Sequence, residues 1–409
     1  MSTSKKKRKL AGLMKFQDET IPERFVHCGY KGLNEYNNIK ERLRRITSPQ
    51  LVQLIIDAGC NQNCVHCCLG QTRTKTPTVS SKIRAVGNAL VHQGFKIDPY
   101  PTEPLMSTAS LESYSWFRNP KERPFLTAGT APLARLPGSQ LADLLNSFGF
   151  SEVWVSLHGS NSQSHDAFTG TLGSFDIAME TIQKVGKIAG TSGNLKLVFD
   201  VCVHKENISE LADILAIAAQ NNAHRAYIMR LYEPCRSAIP RKMIMDYQAS
   251  WDALVEINRL RLVHKGRIWI QMGQSWGTNF HGSGIYHYLA TTNLSFCFAI
   301  APRITIHPGR KKIYPCFLTM ACPEFEIGFL EEDNYQIHFN TLGEQLLGWH
   351  KDWEGKAHGT CAVGDCPYSE ICHGACRGTA VTPSIIAGNT PDWFAPFPDC
   401  ITVLLTEMS

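Results

Sequence analysis

From residue 51 onward the chain alternates short apolar runs with amphipathic stretches. Leu51 to Ile56 reads LVQLII, near-continuously apolar and about the length of a buried strand. Further runs of this kind fall at residues 95–99, 125–128, 153–157, 195–203 and 226–231. Between them, near 79–92, 107–117, 139–148, 174–189 and 207–220, apolar residues recur at helical spacing. Six strands separated by helices predict parallel βα units with right-handed crossovers, and the loops at the C-terminal strand ends carry the chemistry of such folds. After about residue 232 the rhythm changes. A helical pattern near 243–263 and a strand at 267–271 lead into a stretch rich in glycine and aromatics, 273–288, and then a cysteine-rich tail.

Composition narrows the class. No run approaches the roughly 18–20 apolar residues needed to cross a bilayer, and the N-terminus has no apolar stretch of secretory length, so the chain is expected to be cytoplasmic, with no membrane partner. The net charge of +5 owes much to Lys5, Lys6, Lys7, Arg8 and Lys9. A short basic terminus of this kind is usually a solvated arm, so it does not argue for nucleic acid. Eleven of the fifteen cysteines cluster in two groups, which in a large cytosolic chain points to metal rather than disulfides.

The first group, Cys60, Cys64 and Cys67, follows the first strand directly, at the chemical mouth of the predicted units. Three thiolates at that spacing can hold three corners of a four-iron cluster and leave the fourth iron open. A zinc site is the alternative. Structural zinc needs a fourth protein ligand, and Cys68 is adjacent but badly placed to close the same tetrahedron.

This segment, with those that follow, resembles the radical S-adenosylmethionine (SAM) superfamily. CNQNCVHC at 60–67 is similar to its signature; YPTEPL at 100–105 stands where the family has a Gly-Gly-Glu-Pro turn; TAG at 127–129 ends the third strand. VSLHG at 155–159 ends the fourth, and His165, Asp166 and then Gly173, Ser174 and Phe175 follow at the family interval. The resemblance implies an α/β fold, a partial (βα)6 TIM-like barrel, over residues 49–235 after an N-terminal extension at 1–48. It also implies a [4Fe-4S] cluster that cleaves SAM to a 5′-deoxyadenosyl radical. Glu103 would hold the SAM ammonium with Thr102 beside it, Ser156 the ribose or carboxylate side, and His66 would take the place of an aromatic residue near the adenine. Where SPASM-type relatives carry an arginine for the SAM carboxylate this chain has Thr169, which leaves Arg230 as another donor.

The second group, Cys361, Cys366, Cys372 and Cys376 with Cys400 beyond, resembles the SPASM domain that binds auxiliary [4Fe-4S] clusters; Cys297 and Cys316, with Gly309 between, match its opening. The resemblance implies a SPASM domain at 291–409, joined to the barrel by a linking helix and bridging region at 236–290. It assigns Cys297, Cys316 and Cys376 to an inner cluster and Cys361, Cys366, Cys372 and Cys400 to an outer one. Cys322 either completes the inner cluster or leaves it an open iron.

Enzymes of this type most often modify ribosomally made peptides or proteins by crosslinking, oxidation or epimerisation. A peptide substrate, docked directly or through a separate leader-binding protein, and an electron donor such as flavodoxin or ferredoxin are the expected partners. A dehydrogenase or deoxygenase of a sugar, aminocyclitol or antibiotic precursor is the second reading, and an iron–sulfur electron carrier the third. Cys235, just past the sixth strand, stands where a thiol could return a hydrogen atom to a carbon radical. Glu233 beside it, and the aromatic stretch from Trp276 to Tyr288, are further groups that could face SAM or substrate.

Overall fold

A computed structural model describes residues 51–56, 59–67, 69, 81–101, 103–117, 125–128, 132–192, 194–231, 239–272, 303–320, 322–346 and isolated positions between 384 and 392. The chain divides into two compact units, one made of 49–271 and 303–345, the other of 1–48, 272–302 and 346–409. Nearly all described residues belong to the first.

The six expected strands form close to their sequence bounds: β1 (Leu51–Ile56), β2 (Lys96–Pro101), β3 (Phe125–Ala128), β4 (Glu152–Ser156), β5 (Lys196–Val203) and β6 (Arg225–Arg230). Helices α1 (Ser81–His92), α2 (Thr108–Ser115), α3 (Gly138–Ser147), α4 (Ser162–Thr169), α5 (Ser174–Ser192) and α6 (Leu211–Gln220) alternate with them. β1 pairs parallel with β2, and β3 to β6 pair parallel in chain order. These are the two arcs of a partial barrel. α7 (Tyr247–Val263) then leads to β7 (Trp269–Met272), which extends the second arc.

Residues 303–345 add to the first arc, which periodicity alone did not reveal. β8 (Arg303–His307) pairs parallel with β1, and β9 (Lys312–Tyr314), β10 (Gly328–Leu330) and β11 (Ile337–Phe339) continue antiparallel before the short α8 (Thr341–Leu346). The Thr305 hydroxyl donates to Gln53 Oε1 at 3.2 Å across the β8–β1 pair. Among the described residues no helix is long and apolar enough to cross a membrane.

Strand alternation sorts the second arc into two faces. Val153 and Val155 of β4, Leu197, Phe199, Val201 and Val203 of β5, and Ala226 and Ile228 of β6 are each 0% exposed. They form the core under the helices, with α5 packed against β4 and β5. Each such apolar side chain contributes roughly 1.5–3 kcal/mol by leaving water. The opposite face, towards the barrel interior, carries Trp154, Ser156, Asp200, Tyr227 and Met229, all only half-buried.

At the N-terminal end of that inner face lies a closed polar floor. The Arg225 guanidinium donates to Glu152 Oε2 at 2.6 Å, and the Trp154 indole donates to the same oxygen at 2.8 Å. Arg225 also stands 4.9 Å over the Trp154 ring and 5.2 Å over that of Trp269. A buried ion pair offsets its desolvation only when its remaining groups are engaged, and two aromatic faces around the cation help do that here.

Candidate active site

The cysteine loop begins at Gly59, whose φ of 77° turns the chain out of β1. Cys60, Cys64 and Cys67 form no disulfide, and each is partly exposed. The Cys64 thiol donates to Gln62 Oε1 at 3.3 Å, and the Cys67 amide donates to the Cys64 carbonyl at 3.2 Å. Among the described residues no three His, Cys, Asp or Glu side chains converge as a single-ion site requires. Three cysteine thiols on one braced loop are the donor set that a [4Fe-4S] cluster with one open iron takes.

The brace is α4. The Asn63 and Val65 amides donate to the carbonyls of Thr169 and Phe168, both at 3.0 Å, and Asn63 N also reaches Thr171 Oγ1 at 3.1 Å. Gly170 caps α4 with φ of 60°, and a Cβ there would lie 2.4 Å from the Asn63 carbonyl oxygen. Glycine is required twice over, by backbone conformation and by the approach of the cysteine loop. At the other end of α4, Glu210 Oε2 accepts from the Ser160 amide at 2.7 Å, the Ser160 hydroxyl at 2.8 Å and the Ser164 hydroxyl at 2.7 Å.

The His-Asp pair of the sequence motif has a local physical role. Asp166 accepts from the Gly173 amide at 2.6 Å, the Phe175 amide at 2.8 Å and the Ser174 hydroxyl at 2.9 Å, which fixes the start of α5. Burial alone would raise the Asp166 carboxyl, but these bonds and the neighbouring His165 outweigh it and hold the group below the usual carboxylate range. Thr169 is 1% exposed, with its hydroxyl 2.6 Å from that of Ser174, so it is part of this interior network.

Beside the loop lies a stack of rings. His66 stacks on Phe168 at 4.3 Å and 16°, and Phe168 stacks in turn on His204 at 4.6 Å and 8°. His158 meets His66 edge-on at 5.2 Å. The His158 Nδ1 accepts from the Cys202 amide at 3.1 Å, and the His158 amide donates to His165 Nδ1 at 3.1 Å. Asn207 donates to the carbonyls of His158 and Cys202 at 2.8 and 2.9 Å, tying the ends of β4 and β5 together. Burial, with His66, His165 and His204 nearby, holds the His158 imidazole well below its usual range, and burial brings His165 and His204 down to about 4. All three are neutral at pH 7.

The remaining sequence-derived positions separate clearly. Glu103 is 5% exposed and caps the turn at Pro104–Met106, its Oε1 accepting from the Leu105 amide at 3.4 Å. Ser156 ends β4 on the inner face. Arg230 lies on the opposite face of β6 from Tyr227 and Met229, where it donates to Ser250 Oγ and the Met245 carbonyl, both at 3.0 Å. These contacts fasten it to the α7 region rather than to the inner face. Cys316 is half-buried and Cys322 0% exposed, linked through Thr319, whose amide donates to the Cys316 carbonyl while its carbonyl accepts from the Cys322 amide. Thr102, Glu233, Cys235, Cys297, Cys361, Cys366, Cys372, Cys376 and Cys400 lie outside the described residues, as does the aromatic stretch from Trp276 to Tyr288.

One inner-face group escaped the sequence reading. Asp200 interrupts the apolar strand KLVFDVCV, in register with Ser156 on one side and Tyr227 on the other. A lone acid at an inward strand position was the available signal. Burial pushes its carboxyl up to about 7. Cys202, one inner-face step further on, is 3% exposed, and burial, Asp200 and Cys64 together push its thiol well above the usual range.

No family model matches the chain. An AdoMet-dependent heme synthase from Methanosarcina barkeri is 22% identical over 379 residues, spanning 87% of this chain and 97% of the relative. Among solved structures, Streptococcus suis SuiB bound to S-adenosylmethionine superposes with a TM-score of 0.58 at 14% identity, covering 97% of this chain and 88% of SuiB. The enzyme anSMEcpe with bound AdoMet gives a TM-score of 0.60 at 12% identity, covering 87% of this chain and 95% of that one. SuiB has also been solved with its precursor peptide SuiA, and anSMEcpe with a Kp18Cys peptide.

Proposed function

We propose that this chain, which shares the fold of SuiB and anSMEcpe and carries a cysteine segment resembling the radical SAM signature, is an enzyme that cleaves S-adenosylmethionine and abstracts a hydrogen atom from a ribosomally made peptide or protein, to install a crosslink, an oxidation or an epimerisation. The observation that carries the reading is the set of three partly exposed cysteines, none in a disulfide, on a loop bolted to α4 at the mouth of the barrel. A [4Fe-4S] cluster there would supply the electron that breaks a C–S bond of SAM to give the 5′-deoxyadenosyl radical.

The protein's own residues have definable tasks. Cys60, Cys64 and Cys67 would hold the cluster, with the α4 brace keeping their spacing. Glu103 is the acceptor for the SAM ammonium, Thr102 stands beside it, and Ser156 faces the ribose or carboxylate side from the end of β4. Arg230 is assigned a supporting role through α7, since its guanidinium is already engaged by Ser250 and Met245. His66, stacked on Phe168 and met edge-on by His158, is the ring assigned to the adenine. Cys235 is the thiol assigned to return a hydrogen atom if the reaction is an epimerisation. The SPASM-type cysteines, Cys297, Cys316, Cys322, Cys361, Cys366, Cys372, Cys376 and Cys400, would carry two auxiliary [4Fe-4S] clusters fed by a flavodoxin or ferredoxin in the cytoplasm.

Peptide complexes of both fold neighbours support the peptide substrate, presented directly or by a separate leader-binding protein. A second reading, a small-molecule substrate, is favoured by one observation: the relative that aligns along most of both chains is named for heme synthesis.

Anaerobic reconstitution with iron and sulfide, reduction, and assay for 5′-deoxyadenosine test the class. The reconstituted protein is expected to cleave SAM, and Cys60→Ala, Cys64→Ala and Cys67→Ala to abolish cleavage. No cleavage by a cluster-replete, reduced protein would sink the reading. About twelve iron atoms per chain support three clusters, and about four remove the auxiliary pair. Coexpression with candidate peptides or incubation with iron porphyrins, read by mass spectrometry, separates the two substrate classes.

A further inference from the structure

The inner face of the second arc carries a carboxyl group, that of Asp200, which the site described above leaves unused. The Asp200 backbone carbonyl accepts from the Leu157 amide at 3.0 Å, but its side-chain Oδ1 is covered and has no hydrogen-bond partner among the described residues. Burying a carboxylate without a partner costs several kcal/mol, so such a group is retained where a ligand compensates it or is replaced over time. Of the other inner-face charges, Arg225 is paired with Glu152 at 2.6 Å at the floor, and Lys196 stands in register with Glu152 at that same end of β5. Ser156, Cys202, Tyr227 and Met229 make up the rest of this level, and none of them carries a positive charge. Among the described residues the ledge therefore holds one acid without a paired cation. Its flanks suit a cation, since the Tyr227 ring packs 5.1 Å from that of Trp154 and Met229 adds a polarisable thioether one step along β6.

We propose that Asp200, flanked by Tyr227 and Met229, is a specificity subsite that receives a positively charged side chain of the substrate, a lysine ammonium or an arginine guanidinium. The assignment rests on the peptide reading of the barrel mouth and names the kind of residue that the mouth selects. Ionised by the incoming cation, Asp200 forms a short, charge-assisted hydrogen bond within the barrel, and the ring of Tyr227 covers the stem of the guest side chain. A neutral side chain of the same shape would leave the carboxyl unpaired and is rejected on that ground.

The test uses the full chain with its clusters reconstituted, oxidised and saturated with SAM. Binding of Nα-acetyl-lysine N-methylamide and Nα-acetyl-arginine N-methylamide is measured by saturation-transfer NMR, against the neutral isosteres built on norleucine and citrulline. The charged probes are expected to bind about tenfold or more tightly than their isosteres, and Asp200→Asn to bring that ratio near one. Equal binding of charged and neutral probes to the wild type overturns the proposal without any variant being needed. So does a ratio that survives in Asp200→Asn, or no binding of any probe at millimolar concentration. If SAM itself occupies Asp200, the charged probes bind only without SAM, which also overturns it. SAM cleavage by the wild type is scored separately: its loss undoes the enzymatic reading, whereas probe discrimination bears on the subsite alone.

Discussion

Gly170 and Asp200 show how much single positions carry. Substituting Gly170 forces a side chain into the left-handed region and against the Asn63 carbonyl, whose oxygen would stand 2.4 Å away. Gly170→Ala is expected to cost about 1–3 kcal/mol in chemical unfolding and to weaken iron retention, because the displaced atom belongs to the cysteine loop. Unchanged stability and iron content would mean that the loop does not depend on this contact. The cysteines themselves were plain in the sequence, since thiols at that spacing have few other uses. Gly170 was not, because its requirement comes from a segment more than a hundred positions earlier, and no local pattern records a tertiary approach. Arg230 is the converse case. A strand-end arginine invited a ligand role, but alternation along β6 sends its guanidinium outward to Ser250 and Met245.

At the scale of elements, the barrel strands were legible because each is a compact apolar run, and their observed ends agree with the pattern to within a few residues. The ribbon from β8 to β11 was not, for its strands are three to five residues long, below the length at which alternation can be told from chance. α4 was hidden likewise: SQSHDAFT is eight residues and mostly polar, and it is held by its ends rather than by an apolar stripe. One end is the glycine cap, the other the serine–carboxylate cluster on Glu210. Glu210→Ala removes an acceptor shared by three short bonds and is expected to lower stability by roughly 1–3 kcal/mol in urea unfolding, with Glu210→Gln recovering part of it. No change would place the N-terminus of α4 under other control.

Across the whole molecule, buried titratable groups set an acid limit. His165 and His204 titrate near 4 instead of 6.5, and His158 is lowered too, so below pH 6.5 the unfolded chain takes up protons that the folded one refuses. Stability is therefore lost as pH falls from about 6.5 towards 4. Asp200 acts the other way. With its carboxyl near 7 against an ordinary 3.8, the folded state keeps a proton that the unfolded state has released, and stability falls as pH rises through that window. Three groups oppose one, so the wild type should be less stable at pH 5 than at pH 7. Asp200→Asn should gain about 1–3 kcal/mol at pH 8, an advantage that fades by pH 4. Thermal melts across pH would contradict this account if the two proteins ran parallel. The docking of the cysteine loop on α4 bears on how such a protein is assembled. Among the described residues the amides of Asn63 and Val65 are secured by the Thr169 and Phe168 carbonyls and by the Thr171 hydroxyl. The cradle is thus built by polypeptide alone, unlike a zinc finger that folds around its ion. Iron and sulfide would arrive at a finished receptacle. Slow hydrogen exchange at those two amides in metal-free protein is the expected sign, and exchange at the rate of an open loop would mean that the metal shapes its own seat.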